Sequence, residues 1–238
     1  MLEAVIFDMD GVIVDSHPAH KEAWRLFLGS LGRIVSDAEL DFVLDGRKRD
    51  EILRHFLGDL SPDKVQEYGY RKDGYFRKAS FQLKPVPGVI EFIPSLRNAG
   101  IATVVATSAS KSRTRHTLQY LHLLDKFDAI VTGDDVAAGK PDPAIYILAC
   151  KLLNIAPRHG LAIEDAVSGI RAATKAGLTC IGVAGHQSPD QLRAAGAAYV
   201  VEGFVDLSRS RLEALLTTRR PYSGDLGEAS SQQSGGLL

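Results

Sequence analysis

Cysteine is scarce in this chain, with only Cys150 and Cys180 among 238 residues, which excludes a disulfide framework as the basis of the fold. Both fall in segments that read as buried helix and strand, and a thiol-reduced, cytoplasmic protein is expected. Positive charge is not in excess: 28 Lys and Arg stand against 29 Asp and Glu. That balance leaves no surplus to neutralise a nucleic-acid backbone or an anionic membrane. The expected partner is therefore a small molecule, with no nucleic acid and no membrane, and the chain is expected to be a monomer. No apolar run approaches the ~20 residues that cross a bilayer. The apolar start, Met1 to Val14, lacks a basic leading segment and carries Glu3, Asp8 and Asp10, so it reads as buried strand rather than export signal. Internal repeats and heptads are absent as well.

What is present is an alternation. Ala4 to Phe7 is a short apolar run that ends in polar residues, the pattern of a parallel strand covered on both faces. The pattern recurs at Ile101 to Ala106, Ala129 to Val131, Gly160 to Ile163 and Thr179 to Val183, and more weakly at Ala198 to Val201. Helical stretches lie between them. Val89, Phe92, Ile93 and Leu96 repeat at helical spacing before Gly100, a C-cap residue, while Asp142 and Pro143 read as N-cap and first helical residue. Strands alternating with helices predict a doubly wound, Rossmann-like α/β core over 1–15 and 85–216.

Residues 16–84 break the alternation. His20, Trp24, Phe27, Leu28 and Leu31 mark one amphipathic helix, and Ile52, Leu53, Phe56 and Leu57 another, with no convincing strand between them. An all-helical insertion is expected, with hinges near Asp15 and at Lys84 to Gly88. From Thr217 to Leu238 the chain turns to Ser, Gly and Gln with few apolar residues and is expected to be a disordered tail.

Candidate chemistry sits where predicted strands end, the edge at which open α/β sheets bind ligands. The first strand runs into Asp8-Met9-Asp10-Gly11-Val12. Residues two apart on an extended chain point the same way, so both acids can address one site. Two carboxylates this close call for a cation and a division of labour, one acid attacking and the other held protonated as general acid. A chance DxDG, or part of a calcium loop, is the alternative, although Val12 breaks the EF-hand pattern. After the second strand, Thr107-Ser108-Ala109-Ser110-Lys111 could hold phosphate oxygens through hydroxyls and backbone N–H groups, yet Ser108 or Ser110 serves equally as a helix N-cap. Lys140, between Gly139 and Pro141-Asp142-Pro143, is either solvated surface or an ammonium fixed by rigid neighbours. Glu164-Asp165 opens a helix, where an acid is favoured by the dipole alone. Paired with Asp8 across the sheet edge, Asp165 completes a hard oxygen set suited to Mg²⁺.

Asp8-x-Asp10-Gly, Thr107-Ser108, Lys140-Pro and Glu164-Asp165, in that order on successive strand ends, resemble the four signature motifs of the haloacid dehalogenase superfamily. The insertion after the first motif resembles the α-helical cap of the subfamily containing β-phosphoglucomutase and related sugar-phosphate phosphatases. The resemblance implies that Asp8 is nucleophile and Mg²⁺ ligand, and that Asp10 is general acid/base and offers its backbone carbonyl to the ion. It implies that Ser108 with Thr107 binds the phosphoryl group, that Lys140 steadies charge, and that Asp165 ligates the metal with Glu164 alongside. The cap segment Val43-Leu44-Asp45-Gly46-Arg47-Lys48-Arg49 is similar to the loop that reaches into the cleft. Arg49 matches an arginine that grips a second phosphate, although a solvated basic helix start fits as well. His20, beside Trp24, matches a hinge-proximal histidine or is a satisfied core histidine.

The resemblance leaves phosphatase and mutase open, since water or a sugar phosphate can take the group from Asp8. Asp45 and Ser112 stand where the mutase pattern has lysine and asparagine. A phosphatase of a small sugar phosphate or similar metabolite is therefore expected, with β-phosphoglucomutase as the alternative. A non-catalytic phosphate-binding protein on the same fold would be marked by loss of Asp8, Asp10, Lys140 or Asp165, and none is lost. A dehalogenase would need neither Mg²⁺ nor Asp10.

Overall fold

The computed structural model of the chain describes residues 1–205 and 207–217; of the expected tail, all but Thr217 lies outside the described residues. In chain order the elements are β1 (Ala4–Phe7), β2 (Val14–Asp15), α1 (His17–Gly29), α2 (Asp37–Leu40), α3 (Arg49–Leu57), α4 (Pro62–Ala79), β3 (Lys84–Pro85), α5 (Val89–Asn98) and β4 (Ala102–Ala106). They continue as α6 (Lys111–Tyr120), β5 (Ala129–Val131), α7 (Ala144–Leu152), β6 (Gly160–Glu164), α8 (Val167–Lys175), β7 (Thr179–Val183), α9 (Pro189–Ala195), β8 (Tyr199–Val201) and α10 (Arg209–Thr217).

Six strands form one parallel sheet in the order β5-β4-β1-β6-β7-β8. The chain builds outward from β1 through β4 to β5, then crosses to β6 on the opposite side of β1. The winding thus reverses at β1, and the loops after β1, β4 and β6 splay apart into a crevice at the strands' carboxyl ends. Alternate residues of each strand enter different layers. Val5, Phe7, Val105, Ile163 and Ile181 pack with Phe92, Ile93 and Leu96 of α5, Leu118 of α6 and Leu212 of α10. Ile6, Val104, Ala162 and Cys180 pack with Ile145 and Ala149 of α7, Ile170 of α8 and Leu192 of α9. Burial on both faces is why the strands read as unbroken apolar runs.

Between β2 and β3 the chain is helical throughout and builds its own apolar cluster from Trp24, Phe27, Leu40, Leu44, Ile52, Leu53 and Phe56. This cap is anchored to the core layer by Ala19 and Ala23 of α1 and Phe76 and Ala79 of α4. The sequence reading overlooked a small feature at its base. The two crossings do not run separately but pair as an antiparallel ribbon, Val14 with Pro85 and Asp15 with Lys84. Such short strands carry no alternation to detect. The helix expected to start at Pro143 begins at Ala144, with Asp142 Oδ1 accepting the Ala144 N–H at 2.9 Å.

Phe7 meets Phe92 and Phe127 edge-to-face with centroids 6.2 and 6.0 Å apart, so its truncation leaves a cavity that the sheet cannot collapse into. Phe7→Ala should lower the unfolding free energy by about 3–5 kcal/mol in urea titrations, whereas Ile34→Ala, at a side chain 95% exposed, should change it by less than about 0.5 kcal/mol.

Candidate active site

Asp8 follows β1 directly, and its N–H donates to Ile163 O at 2.9 Å, which continues the sheet pairing one residue beyond the strand. The Lys140 ammonium donates to Asp8 Oδ1 at 2.9 Å, to Glu164 Oε1 at 2.5 Å and to the Ala106 carbonyl at 3.1 Å. It is 1% exposed, so the solvated-surface alternative for Lys140 fails. Burial alone would lower the Lys140 pKa, but the charges of Asp8 and Glu164 raise it, and the group stays an ammonium. Asp8, Glu164 and Asp165 each bring a carboxylate oxygen within 4.8 Å of the others, all buried. Burial, together with Glu164 and Asp10, pushes Asp8 up to about 7 despite Lys140, and burial also raises Glu164 and Asp165.

One ammonium among three buried carboxylates leaves an excess of negative charge that a divalent cation would balance. The oxygen-only donor set fits a hard cation. Within that set, Glu164 has its acceptors engaged: Oε1 takes Lys140 and Tyr146 Oη (2.6 Å), and Oε2 takes the N–H groups of Asp165 and Ala166. Expected among the ligands, Glu164 belongs to this acidic group and also fixes Lys140 in place. The oxygens with room are Asp8 Oδ2 and Asp165 Oδ1, which have no donor among the described residues. Two glycines make the packing feasible. A Cβ on Gly11, whose φ is +73°, would overlap the Asp165 carboxylate, and one on Gly169 of α8 would overlap that of Glu164.

Asp10 points elsewhere. Arg113 grips it with both guanidinium nitrogens, NH1 to Oδ1 at 2.8 Å and NH2 to Oδ2 at 2.6 Å, while Ser16 Oγ donates to Oδ1 at 2.6 Å. Burial would raise its pKa, but Arg113 and then His20 hold it well below the usual carboxylate range. The expectation of a protonated Asp10 is thus corrected for this conformation: a bidentate guanidinium keeps it ionised. His20 Nε2 lies 3.3 Å from Asp10 Oδ1, and Nδ1 lies 3.2 Å from Lys72 Nζ. Burial, Lys72 and Arg113 push it down to about 3, so it is a neutral imidazole packed on Phe76. His17 Nε2 is 3.0 Å from Asp165 Oδ2; burial opposes its protonation, but the Asp165 carboxylate raises its pKa.

A cavity of about 50 Å³ connects these groups to the cap. Its walls include Asp8, Asp10, Asp165, Thr107, Ser108, Ala109 and Ser110 from the core, and His20, Trp24, Gly46, Arg47 and Arg49 from the cap. Ser108 Oγ donates to Gly46 O at 2.5 Å and Ser168 Oγ to Asp45 O. Lys48 Nζ donates to Val136 O at 2.8 Å. These core–cap bonds, with a longer one from Lys48 Nζ to Ala137 O at 3.4 Å, seat the cap loop over the cleft. Ser108 has one hydroxyl proton, and here the cap carbonyl holds it. Ser110 is the N-cap of α6, accepting the Arg113 N–H, and its own proton goes to Asp73 Oδ2 at 2.9 Å. Lys111 does not face the cavity: it is exposed, 3.4 Å from Asp135. Arg47 lies against Asp45 (3.2 Å) and over the Phe42 ring. Arg49 NH1 donates to Asp73 Oδ2 at 2.8 Å.

Four groups at the site escaped the sequence reading: Arg113, Lys72, Asp73 and Tyr146. Charged residues on the polar-looking helices α4 and α6 offered no signal. Tyr146 lies within an apolar stretch of α7, which offers no signal either.

The comparisons with known proteins agree with this geometry. Residues 2–177 match the family profile of haloacid dehalogenase-like hydrolases. A phosphorylated carbohydrates phosphatase of Thermotoga maritima is 35% identical over 84% of this chain and 94% of its own. A β-phosphoglucomutase of Bacillus subtilis is 33% identical over 76% and 83%. Among solved structures, a mutant of CbbY from Rhodobacter sphaeroides in complex with xylulose-(1,5)bisphosphate superposes with a TM-score of 0.78 at 30% identity, covering 87% of this chain and 97% of that one. The parallel sheet reversing at β1, the buried acids at its carboxyl edge and the profile over most of the sequence lead to one assignment: the chain belongs to the haloacid dehalogenase-like hydrolase family.

Proposed function

We propose that the chain is a Mg²⁺-dependent phosphatase that hydrolyses a small phosphorylated sugar or related metabolite through a phosphoryl group carried on Asp8. The observation that carries the reading is the position of Asp8: a buried carboxylate at the end of the central strand, 2.9 Å from a buried ammonium, on a cavity shared with Thr107 and Ser108. Asp8 and Asp165, with the Asp10 backbone carbonyl, would hold Mg²⁺, which when bound offsets the carboxylate excess and the charge of the phosphoryl oxygens.

Asp8 attacks phosphorus in line with the leaving oxygen, and the P–O bond to the sugar breaks. Lys140, clamped by Glu164, neutralises charge on Asp8 and the transferring oxygens. Ser108 exchanges its Gly46 carbonyl for a phosphoryl oxygen. Water then attacks the phosphorus on Asp8, releasing inorganic phosphate and restoring the carboxylate. Asp10 is ionised in its pair with Arg113 and is set to take the proton of that water. To protonate the leaving oxygen in the first half it must first detach from Arg113 and gain a proton.

Phosphatase is favoured over mutase because Arg49 and Ser110 are both bound to Asp73. A mutase is the second reading, since Arg49, Ser110 and Gly46 line the same cavity as Asp8.

With Mg²⁺ and a hexose or hexitol monophosphate, Asp8→Asn should lower kcat by about 10⁴-fold or more, read as inorganic phosphate release; turnover retained in that variant would remove the nucleophile. In a coupled assay with β-glucose 1-phosphate and a priming bisphosphate, inorganic phosphate is expected, and glucose 6-phosphate without it would establish the mutase. Asp8 with its pKa near 7 holds a proton below that pH, and the ion must displace it. Mg²⁺ affinity measured calorimetrically should thus weaken as the pH falls from about 8 to about 6, approaching about tenfold per pH unit at the acid end.

A further inference from the structure

The cavity wall away from Asp8 collects positive charge. Arg49, Lys72 and Arg113 all face it, together with the Ser110 hydroxyl. Lys72 is 2% exposed, with its ammonium 5.3 and 5.1 Å from the Trp24 and Phe76 rings. Left without counter-charges, such a group would bind an anion, and a phosphate with its spread oxygens would suit the guanidinium forks. The protein supplies the counter-charges itself. Asp10 takes Arg113, and Asp73 takes Arg49 at 2.8 Å and the Ser110 hydroxyl at 2.9 Å through one oxygen, Oδ2.

Asp73 is 5% exposed. Burial would raise its pKa, but Lys72, Arg113 and Arg49 lower it, so it is a carboxylate. Arg49 and Ser110 also border a wider outer cavity of about 420 Å³. With Ser108 they line both cavities, beside the space open to the non-reacting part of a substrate whose phosphoryl group meets Asp8 and Ser108.

We propose that Asp73 is a specificity-determining residue: it occupies from within the protein the donors that a second anionic group would need, and so restricts the site to substrates whose remote part is uncharged, such as polyhydroxy monophosphates. This rests on the phosphatase reading and refines its substrate class. A second phosphate would have to displace Asp73 from Arg49 and Ser110 and then sit against a buried carboxylate, whereas a hydroxyl group can donate to the other oxygen, Oδ1, without displacing it.

Fructose 6-phosphate and fructose 1,6-bisphosphate share a reacting phosphate and differ in the remote one. With Mg²⁺, the wild-type protein should show a kcat/KM for the bisphosphate at least about tenfold below that for the monophosphate. Asp73→Asn keeps the size and an acceptor oxygen but removes the charge, and should shift the ratio of the two kcat/KM values toward the bisphosphate by at least about tenfold. A general loss of stability would move both values together and leave the ratio alone. An unchanged ratio in a folded variant overturns the role of Asp73. If the variant does not fold, the wild-type pair decides, since equal or better turnover of the bisphosphate overturns it as well. Failure to hydrolyse either ester, with other hexose and hexitol monophosphates equally untouched, would instead sink the phosphatase reading, and this inference with it.

Discussion

The site is organised around one ammonium shared by two carboxylates in a place that water does not reach. Lys140 holds Asp8 on one side and Glu164 on the other, and these come from β1 and β6, neighbours in the sheet. The Ala106 carbonyl at the end of β4, the strand on the other flank of β1, takes a third hydrogen bond. A single side chain thus ties together the three strand ends at the point where the winding reverses. With Asp165 counted, negative charge still exceeds positive, and burial makes that excess costly enough to push Asp8 toward neutrality. The same imbalance that disfavours the ionised Asp8 carboxylate is one that a divalent cation would offset.

Around this centre the protein supports the charges from a second layer. Tyr146 and two backbone N–H groups hold Glu164, which in turn locates Lys140. Glycines at 11 and 169 exist where they do because the carboxylates of Asp165 and Glu164 fill the volume that a side chain would take. A further set of charges around the cavity is almost fully matched by ion pairs, with Arg49 against Asp73 in the cap and Arg113 against Asp10 in the core. Lys72 is the exception, held between a neutral imidazole and two aromatic faces, and burial lowers its pKa to about 7. A cleft of this kind is rich in charge but poor in unmatched charge apart from the acidic corner of Asp8, Glu164 and Asp165, which agrees with the proposed substrate of one phosphoryl group and a neutral remainder.

Cap and core meet through few but specific bonds. Core hydroxyls and a cap lysine pair with backbone carbonyls at Asp45, Gly46 and Val136, and the ribbon of β2 and β3 joins the two crossings at the base. Because Ser108 serves both the cap carbonyl and the proposed phosphoryl site with a single proton, occupancy of the site and seating of the cap loop draw on the same donor.

The sequence by itself determined the strand and helix alternation, the helical insertion and the four strand-end motifs. Those features are local: a parallel strand buried on both faces must be an apolar run, and its carboxyl end must open into the loops on one edge of the sheet. Ala4–Phe7, Ala129–Val131 and Thr179–Val183 were legible for that reason, and so was the convergence of Asp8, Lys140 and Asp165. Tertiary structure alone decided how the charges pair. Arg113 finds Asp10 across 103 positions and Asp73 reaches Ser110 across 37, and nothing in the spacing of α4 or α6 marks one charged residue as buried and its neighbour as solvated. Such pairing depends on distant segments packing together, core on core for Arg113 and Asp10 and cap on core for Asp73 and Ser110, where exclusion of water makes an unmatched charge expensive; a chain read one segment at a time does not contain that condition.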